Sequence, residues 1–430
     1  MKYYSLNHNS KPCSFADAVK KGLAPDRGLY FPEKIPILPK KFFKEIQDQS
    51  IPEMAFKVIK PFIGKQINNN KLLEIVKETL DFKFPVVEIT NNIAALELFQ
   101  GPTLAFKDVG ARFMARTLGY LKKGSKEKIT VMVATSGDTG GAVANGFLGV
   151  EGVKVVILYP KGKVSEIQEK QLTTLGQNIT ALEVDGVFDD CQEMVKNAFL
   201  DTSLSSVQLT SANSINIGRW LPQMFYYFIA YRALKNKNKN LVFSVPSGNF
   251  GNICAGIMSQ QMGLPVSHFI ASTNVNDTVP RYLKTANYEP LPTKQTISNA
   301  MDVGDPSNFI RIQKIFNNDI YRMKKKFSGY SYTDDQTKKA LKKIYSKKKY
   351  IADPHGAVGY LGLQEYISTQ KDDLYGVFLE TAHPVKFKNT VEKVLNLKVP
   401  IPNRLKETLS KKKVSIPIRD YNELRSYLLD

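Results

Sequence analysis

"KITVMVATSGDTGGAV", residues 128–143, decides the class of fold. Its first half is an unbroken run of β-branched and apolar residues, as in a parallel-sheet strand covered on both faces. A turn of Ser, Gly, Asp and Thr stops the run, and a small-residue helical pattern follows. Outward from it, "VKVVILYP" (153–160) and "NITALEVDG" (178–186) are two more apolar runs, and "VSEIQEKQLTTLG" between them has helical spacing. The same order returns in "NLVFSVPSGNFGNICAGIMSQQMG" (240–263), "PVSHFIASTN" (265–274) and "DLYGVFLETAHP" (373–384). Buried strands alternating with helices imply an α/β fold, with parallel sheets flanked by helices.

At 430 residues the chain exceeds what one core organises, so two or three domains are expected. Residues 1 to about 84 mix short helices with proline-rich turns, and 280–350 is rich in lysine and mostly helical in pattern. No apolar run reaches the ~20 residues of a membrane helix. The start, "MKYYSLNHNSKPCSF", lacks the apolar segment of a signal peptide, so a cytoplasmic location is expected. Cys13, Cys191 and Cys254, like His8, His268, His355 and His383, are far apart in sequence and fit no metal or redox spacing, so no metal site is expected. The net charge is +20, yet the lysines fall in short tracts: "KKGSKEK" (122–128), "KNKNKN" (235–240), "MKKKF" (323–327) and "SKKKY" (346–350). No nucleic-acid motif accompanies them, and a solvated surface without a nucleic-acid partner is the expectation.

Two glycine-rich turns, "TSGDTGG" (135–141) and "PSGNFGN" (246–252), each follow a strand and open a helix. Glycines let backbone N–H groups approach a ligand, and a helix N-terminus favours negative charge. Neither is a nucleotide P-loop or a dinucleotide fingerprint. Either one alone could be a tight βα turn; together they suggest two anionic groups, such as a cofactor phosphate and a substrate carboxylate. In "ELFQGPTLAFKDVGARF" (97–113), Lys107 stands at a helix start after Leu104, Ala105 and Phe106. A lysine that bonds covalently to an aldehyde must spend time neutral, and an apolar neighbourhood and a helix dipole both lower its pKa. With two anion loops in an α/β chain, pyridoxal 5′-phosphate becomes the natural cofactor.

"ELFQGPTLAFKD", "ATSGDTGGAV", "SGNFGN" and "TAHPVKF", with "FADAVKKGLAPDRGLYFPEKIP" near the start, closely resemble the threonine synthase family of the bacterial and fungal kind, over essentially the whole chain. The resemblance implies a tryptophan-synthase-β-like fold (fold type II among pyridoxal phosphate enzymes) with an extra N-terminal domain. It implies an N-terminal domain at 1–84 and a large cofactor-binding α/β domain from 85–110 and 206–430, with a helical insertion near 280–350. A small α/β domain would occupy 111–205. It assigns Lys107 as the cofactor-holding catalytic lysine and Gly248, Asn249, Phe250, Gly251 and Asn252 to the cofactor phosphate. Thr381 is placed beside the pyridine nitrogen and Asp138 near the cofactor's 3′-oxygen, where related enzymes have Asn. Thr135, Ser136 and Thr139 would take the substrate carboxylate. Asn213, Ser214 and Arg219, in "SANSINIGR" (211–219), would take the substrate phosphate, with Lys386 next in line.

The activity so implied is conversion of O-phospho-L-homoserine and water to L-threonine and phosphate, the last step of threonine biosynthesis. A threonine-dehydratase-like lyase, or a phospholyase acting on another phosphorylated amine, would share Lys107 and the glycine-rich loops. A basic binding protein without catalysis would show no cofactor absorbance. Monomer and homodimer both remain open.

Overall fold

The computed structural model describes residues 1–124, 128–237, 239–371 and 373–430, so the basic tracts 122–128 and 235–240 lie partly outside the described residues. Among the described residues the strands, in chain order, are β1 (Tyr3–Ser5), β2 (Tyr30–Pro32), β3 (Val86–Thr90), β4 (Ile93–Glu97), β5 (Ile129–Ala134), β6 (Val153–Pro160), β7 (Ile179–Val184), β8 (Gln208–Ser211), β9 (Asn240–Pro246), β10 (His268–Thr273), β11 (Phe327–Ser331), β12 (Leu374–Glu380) and β13 (Ile416–Ile418). The chain divides into two compact units. One comprises Met1–Phe31, Lys107–Arg219 and Ile401–Asp430, the other Pro32–Phe106 and Trp220–Pro400. The expected N-terminal stretch 1–84 is thus shared between the units, and residues 401–430 belong with the first.

The first unit holds a five-stranded sheet in the order β13-β7-β6-β5-β8, parallel throughout. Strand β5 is buried along its whole length, and β6 at all but one residue, which is why both read as continuous apolar runs. The core on one face joins Met132, Val156 and Leu182 to Cys191 and Met194 of the helix Phe188–Leu200, and to Leu424 and Leu428 of the last helix, Tyr421–Leu429.

The second unit holds a six-stranded sheet in the order β11-β10-β9-β12-β4-β3. Only its edge strand β3 is antiparallel, paired to β4 across a tight turn. Val242, Ile270 and Phe378 pack under Ala340, Leu341, Tyr360 and Leu363 from the helices Asp334–Lys348 and Pro354–Ser368. The expected helical character of 280–350 needs correction: β11 interrupts it, and 287–296 carries neither helix nor strand. "FSGYS" is short and holds a glycine and two serines, so its strand signal is weak; pairing along β10 forms it.

Candidate functional site

In the second unit β9, β12 and β4 lie side by side and run parallel, so their carboxyl ends share one sheet edge. Ligands of open α/β sheets bind beyond such ends. Each of the three strands ends on a segment singled out by the sequence: β9 on Ser247–Asn252, β12 on Thr381, and β4 on the stretch leading to Lys107. That stretch is tied down by backbone bonds. Phe106 N–H donates to the Thr381 carbonyl (2.8 Å), His383 N–H donates to the Leu104 carbonyl (3.0 Å), and Ala105 bridges Ala382. The Tyr226 hydroxyl donates to the Phe106 carbonyl (2.5 Å). Leu104, fully buried, adopts a left-handed φ of 61°. Such a conformation persists in a leucine only when its surroundings impose it, and it clusters at functional sites. Lys107 is the next residue after this fixed segment, half-buried, and begins the helix Lys107–Lys122.

The "SGNFGN" loop leads into the helix Gly251–Gln261. Its N-cap, Phe250, is left-handed at φ 61° and its own side chain makes no cap bond, while Asn252 Oδ1 accepts the Ile253 N–H (2.9 Å). The N–H groups of Gly251 and Asn252 open the helix, and no acid occupies its first turn. Gly248 is required by close approach: a Cβ there would lie 2.8 Å from the Met301 Cα. Asn249 is held by its main chain and its side chain. Its carbonyl accepts Asn308 Nδ2 (3.1 Å), and its Oδ1 accepts the Ser307 N–H (2.6 Å). The Asn252 amide donates to the Pro246 carbonyl (2.9 Å). Asn308 in turn accepts from Arg311 (2.6 Å), which is fully buried and lies 4.2 Å over the Trp220 ring. Burial lowers the Arg311 pKa only to about 10, so a cation stands behind the loop at neutral pH. A helix start without an acid and with a buried cation behind it suits a phosphate dianion, and the neighbouring strand end supplies the hydroxyl of Thr381, 6% exposed.

The first unit brings together the other set. The "TSGDTGG" loop follows β5, and Thr135, 1% exposed, turns inward. Its Oγ1 accepts the N–H groups of Gly137 (2.9 Å) and Gly140 (2.8 Å), holding the loop and the start of the helix Asp138–Phe147. Asp138 is buried and accepts from Gln168 Nε2 (3.0 Å). Ser136 and Thr139 are the half-buried hydroxyls of the loop. The neighbouring strand β8 ends on the third motif. Asn213 Nδ2 donates to the Ala134 carbonyl at the end of β5 (3.2 Å), and Asn213 and Ser214 are half-buried. Arg219 is 3% exposed, and so is no surface arginine. It donates to the Ala212 carbonyl, bracing its own loop, and packs against Gly110 of the helix Lys107–Lys122.

Lys386 is buried in the short turn Pro384–Phe387 after Thr381. Three residues of the second unit's site lie outside every quoted stretch: Asn308 and Arg311 behind the loop, and Asp353, which bonds Ala382 beside Thr381; Glu380 lies in the quoted run 373–384 without an assigned role. Of the three only Asp353 left a local trace, an aspartate ahead of the proline that opens a helix in "ADPHG".

Three family profiles match the chain: pyridoxal-phosphate dependent enzyme over residues 87–375, threonine synthase N terminus over 2–80, and threonine synthase C-terminal over 356–427. The chain is 46% identical over 434 residues to the threonine synthase of Buchnera aphidicola subsp. Baizongia pistaciae, covering 100% of both. It superposes on the crystal structure of threonine synthase from Escherichia coli with a TM-score of 0.93 at 42% identity, covering 100% of this chain and 99% of that one. The structure of pyridoxal-phosphate-bound threonine synthase from Brucella melitensis gives a TM-score of 0.93 at 34% identity, over 100% and 98% of the two chains.

Proposed function

The chain belongs to the threonine synthase family of pyridoxal-phosphate-dependent enzymes, and from that premise we propose that it converts O-phospho-L-homoserine and water into L-threonine and inorganic phosphate. Its fold is that of the fold type II enzymes, and its chemistry that of a pyridoxal-phosphate-dependent lyase of threonine biosynthesis. The observation that supports this reading best is the shared edge of β9, β12 and β4. There an acid-free helix start, the Thr381 hydroxyl and the backbone fixed ahead of Lys107 stand on adjacent strand ends.

When bound, pyridoxal phosphate supplies the electron sink for carbanion chemistry at the amino acid. The residues of this chain do the rest. The N–H groups at Gly251 and Asn252 hold the cofactor phosphate, with Gly248, Asn249 and Phe250 shaping the loop around it. Thr381 offers a neutral hydroxyl to the pyridine nitrogen and so does not hold that nitrogen protonated. Lys107 anchors the cofactor. With the substrate amine in its place, the Lys107 Nζ would take the Cα proton. A Cβ proton would leave, phosphate would depart with the electron pair of the Cγ–O bond, Cγ would gain a proton to become the methyl group, water would add its hydroxyl at Cβ, and a proton returned to Cα would complete threonine. Ser136, Thr139 and the helix start at Asp138 receive the substrate carboxylate, while Thr135 holds that loop in shape. Asp138, held by Gln168, would be the residue near the cofactor's 3′-oxygen. Asn213 and Ser214 bind the substrate phosphate on a loop braced by Arg219, whose charge favours the dianion. We place the enzyme in the cytoplasm, acting on a small molecule without a nucleic-acid partner. Among its described residues no helix is long and apolar enough to cross a membrane.

The test is turnover. Purified protein with pyridoxal phosphate and O-phospho-L-homoserine should release threonine and phosphate in equal amounts. Phosphate without threonine would make it a different phospholyase, and deamination of threonine with no use of phosphohomoserine would make it a dehydratase.

A further inference from the structure

Asp353, fully buried, does more than cap the helix Pro354–Ser368. As a cap its Oδ1 accepts the N–H groups of His355 (2.5 Å) and Gly356 (3.3 Å). The same oxygen accepts His355 Nδ1 (2.6 Å). Its second oxygen leaves the helix and accepts the N–H of Ala382 (3.1 Å), 29 residues further along the chain. The Asp353 N–H donates to Glu380 Oε2 (3.2 Å), which closes a ring of bonds around the end of β12. Gly356 makes room for that carboxyl, because a Cβ there would lie 2.1 Å from Glu380 Oε1. Burial, and then the proximity of Asp353, pushes the Glu380 carboxyl well above the usual range.

The segment so gripped is the one that matters to the site. Residues 381–383 bond on their other side to 104–106, through Phe106 N–H to the Thr381 carbonyl and His383 N–H to the Leu104 carbonyl. Thr381 and Ala382 are thus held between Asp353 and the backbone that runs into Lys107. We propose that Asp353 is a positioning residue for the cofactor site: its second carboxylate oxygen fixes the strand end that carries Thr381 and, through it, the segment that delivers Lys107. The inference rests on the roles given above to Thr381 and Lys107. A helix cap alone needs one acceptor oxygen; the bond to Ala382 is what a positioning role adds.

Asp353→Ser separates the two roles. Serine is a good N-cap but is too short to reach Ala382 as well. Asp353→Asn keeps the size and sets an N–H donor against one of the N–H groups it now accepts. Asn68→Ala is the control, since Asn68 caps a different helix of the same unit, Asn69–Thr79, through Lys71 N–H (2.8 Å). Each variant is loaded with saturating pyridoxal phosphate. The melting temperature of the apoprotein, the visible absorbance and circular dichroism of the bound cofactor, and kcat and KM for O-phospho-L-homoserine are then measured. Asp353→Ser should shift or weaken the visible dichroic band and lower kcat at least tenfold, with KM changed less than threefold. Asn68→Ala should lower the melting temperature and leave the band and kcat alone. Asp353→Asn should resemble Asp353→Ser and serves in its place if the serine variant does not fold. If the folded Asp353 variants keep the wild-type band and kcat, Asp353 is a cap and nothing more. A wild-type protein with no cofactor band overturns the functional reading as well; a wild-type band matched by Asp353→Ser overturns this proposal alone.

Discussion

The two glycine-rich loops have nearly the same local grammar and opposite electrostatics. Both follow a buried parallel strand and open a helix. At 135–141 the Thr135 hydroxyl satisfies two of the loop's N–H groups, and an acid, Asp138, occupies the first turn. At 247–252 Asn252 Oδ1 takes one N–H, that of Ile253, the first turn carries no acid, and Arg311 stands behind Asn308. A helix start that carries a carboxylate suits a singly charged group reaching the loop hydroxyls. A start without an acid and backed by a cation suits a phosphate dianion. The shared motif points to anions; the charge in and behind each helix start distinguishes the two ligands proposed.

Gly248→Val breaks the comparison most severely, because its side chain must enter space held by the Met301 backbone. Pyridoxal phosphate affinity should fall at least ~100-fold, about 2.7 kcal/mol. KM for O-phospho-L-homoserine in the fully loaded fraction should change little. A matching loss in KM would mean that this loop serves the substrate.

Arg311→Met sharpens the point about the buried cation. The chain still packs on Trp220 but loses the bond to Asn308 and the charge. A loss of about tenfold in cofactor affinity by equilibrium titration, roughly 1.4 kcal/mol, is expected. Unchanged affinity would show that Arg311 only fills the core.

The first loop should answer in the other coordinate. Ser136→Ala or Thr139→Val removes a neutral hydroxyl, so KM should rise roughly threefold to tenfold, in line with ~0.5–1.5 kcal/mol per hydrogen bond. Cofactor affinity should stay within twofold.

A further effect, read in stability and not in ligand affinity, concerns Asp302, next to the Met301 that crowds Gly248. Burial pushes its carboxyl up to about 6 from 3.8. The folded protein therefore binds this proton more tightly than the unfolded chain does. The resulting stabilisation is fully present below pH 3.8 and is lost as pH rises through about 6. Asp302→Asn removes the titration. The melting temperature of the wild type relative to this variant should fall between pH 4 and pH 6 and level off above; a constant difference would show that the carboxyl is not perturbed.

Much of this was legible because it is contiguous. β5, β6 and β9 are buried on both faces and announce themselves as apolar runs, and each loop follows its strand directly in sequence. β4, "IAALE", went unread because alanines carry little strand preference, and β13, "IPI", because three residues at an edge make no pattern. Lys107 could be found from its apolar run and helix start. Asn308 could not, since it meets Asn249 from 59 residues away, and Asp353 meets Ala382 from 29. Arg219 could be named but not described: nothing in "SANSINIGR" says that its guanidinium folds back onto Ala212.

The central proposal is that this chain carries pyridoxal phosphate on Lys107, the residue that follows the fixed segment Leu104–Phe106. Borohydride reduction of the cofactor-loaded wild-type protein, followed by peptide mass spectrometry, tests it most directly. A single pyridoxyl label on Lys107 is the predicted result. A label on another lysine, or no label on protein that has bound the cofactor, would contradict it.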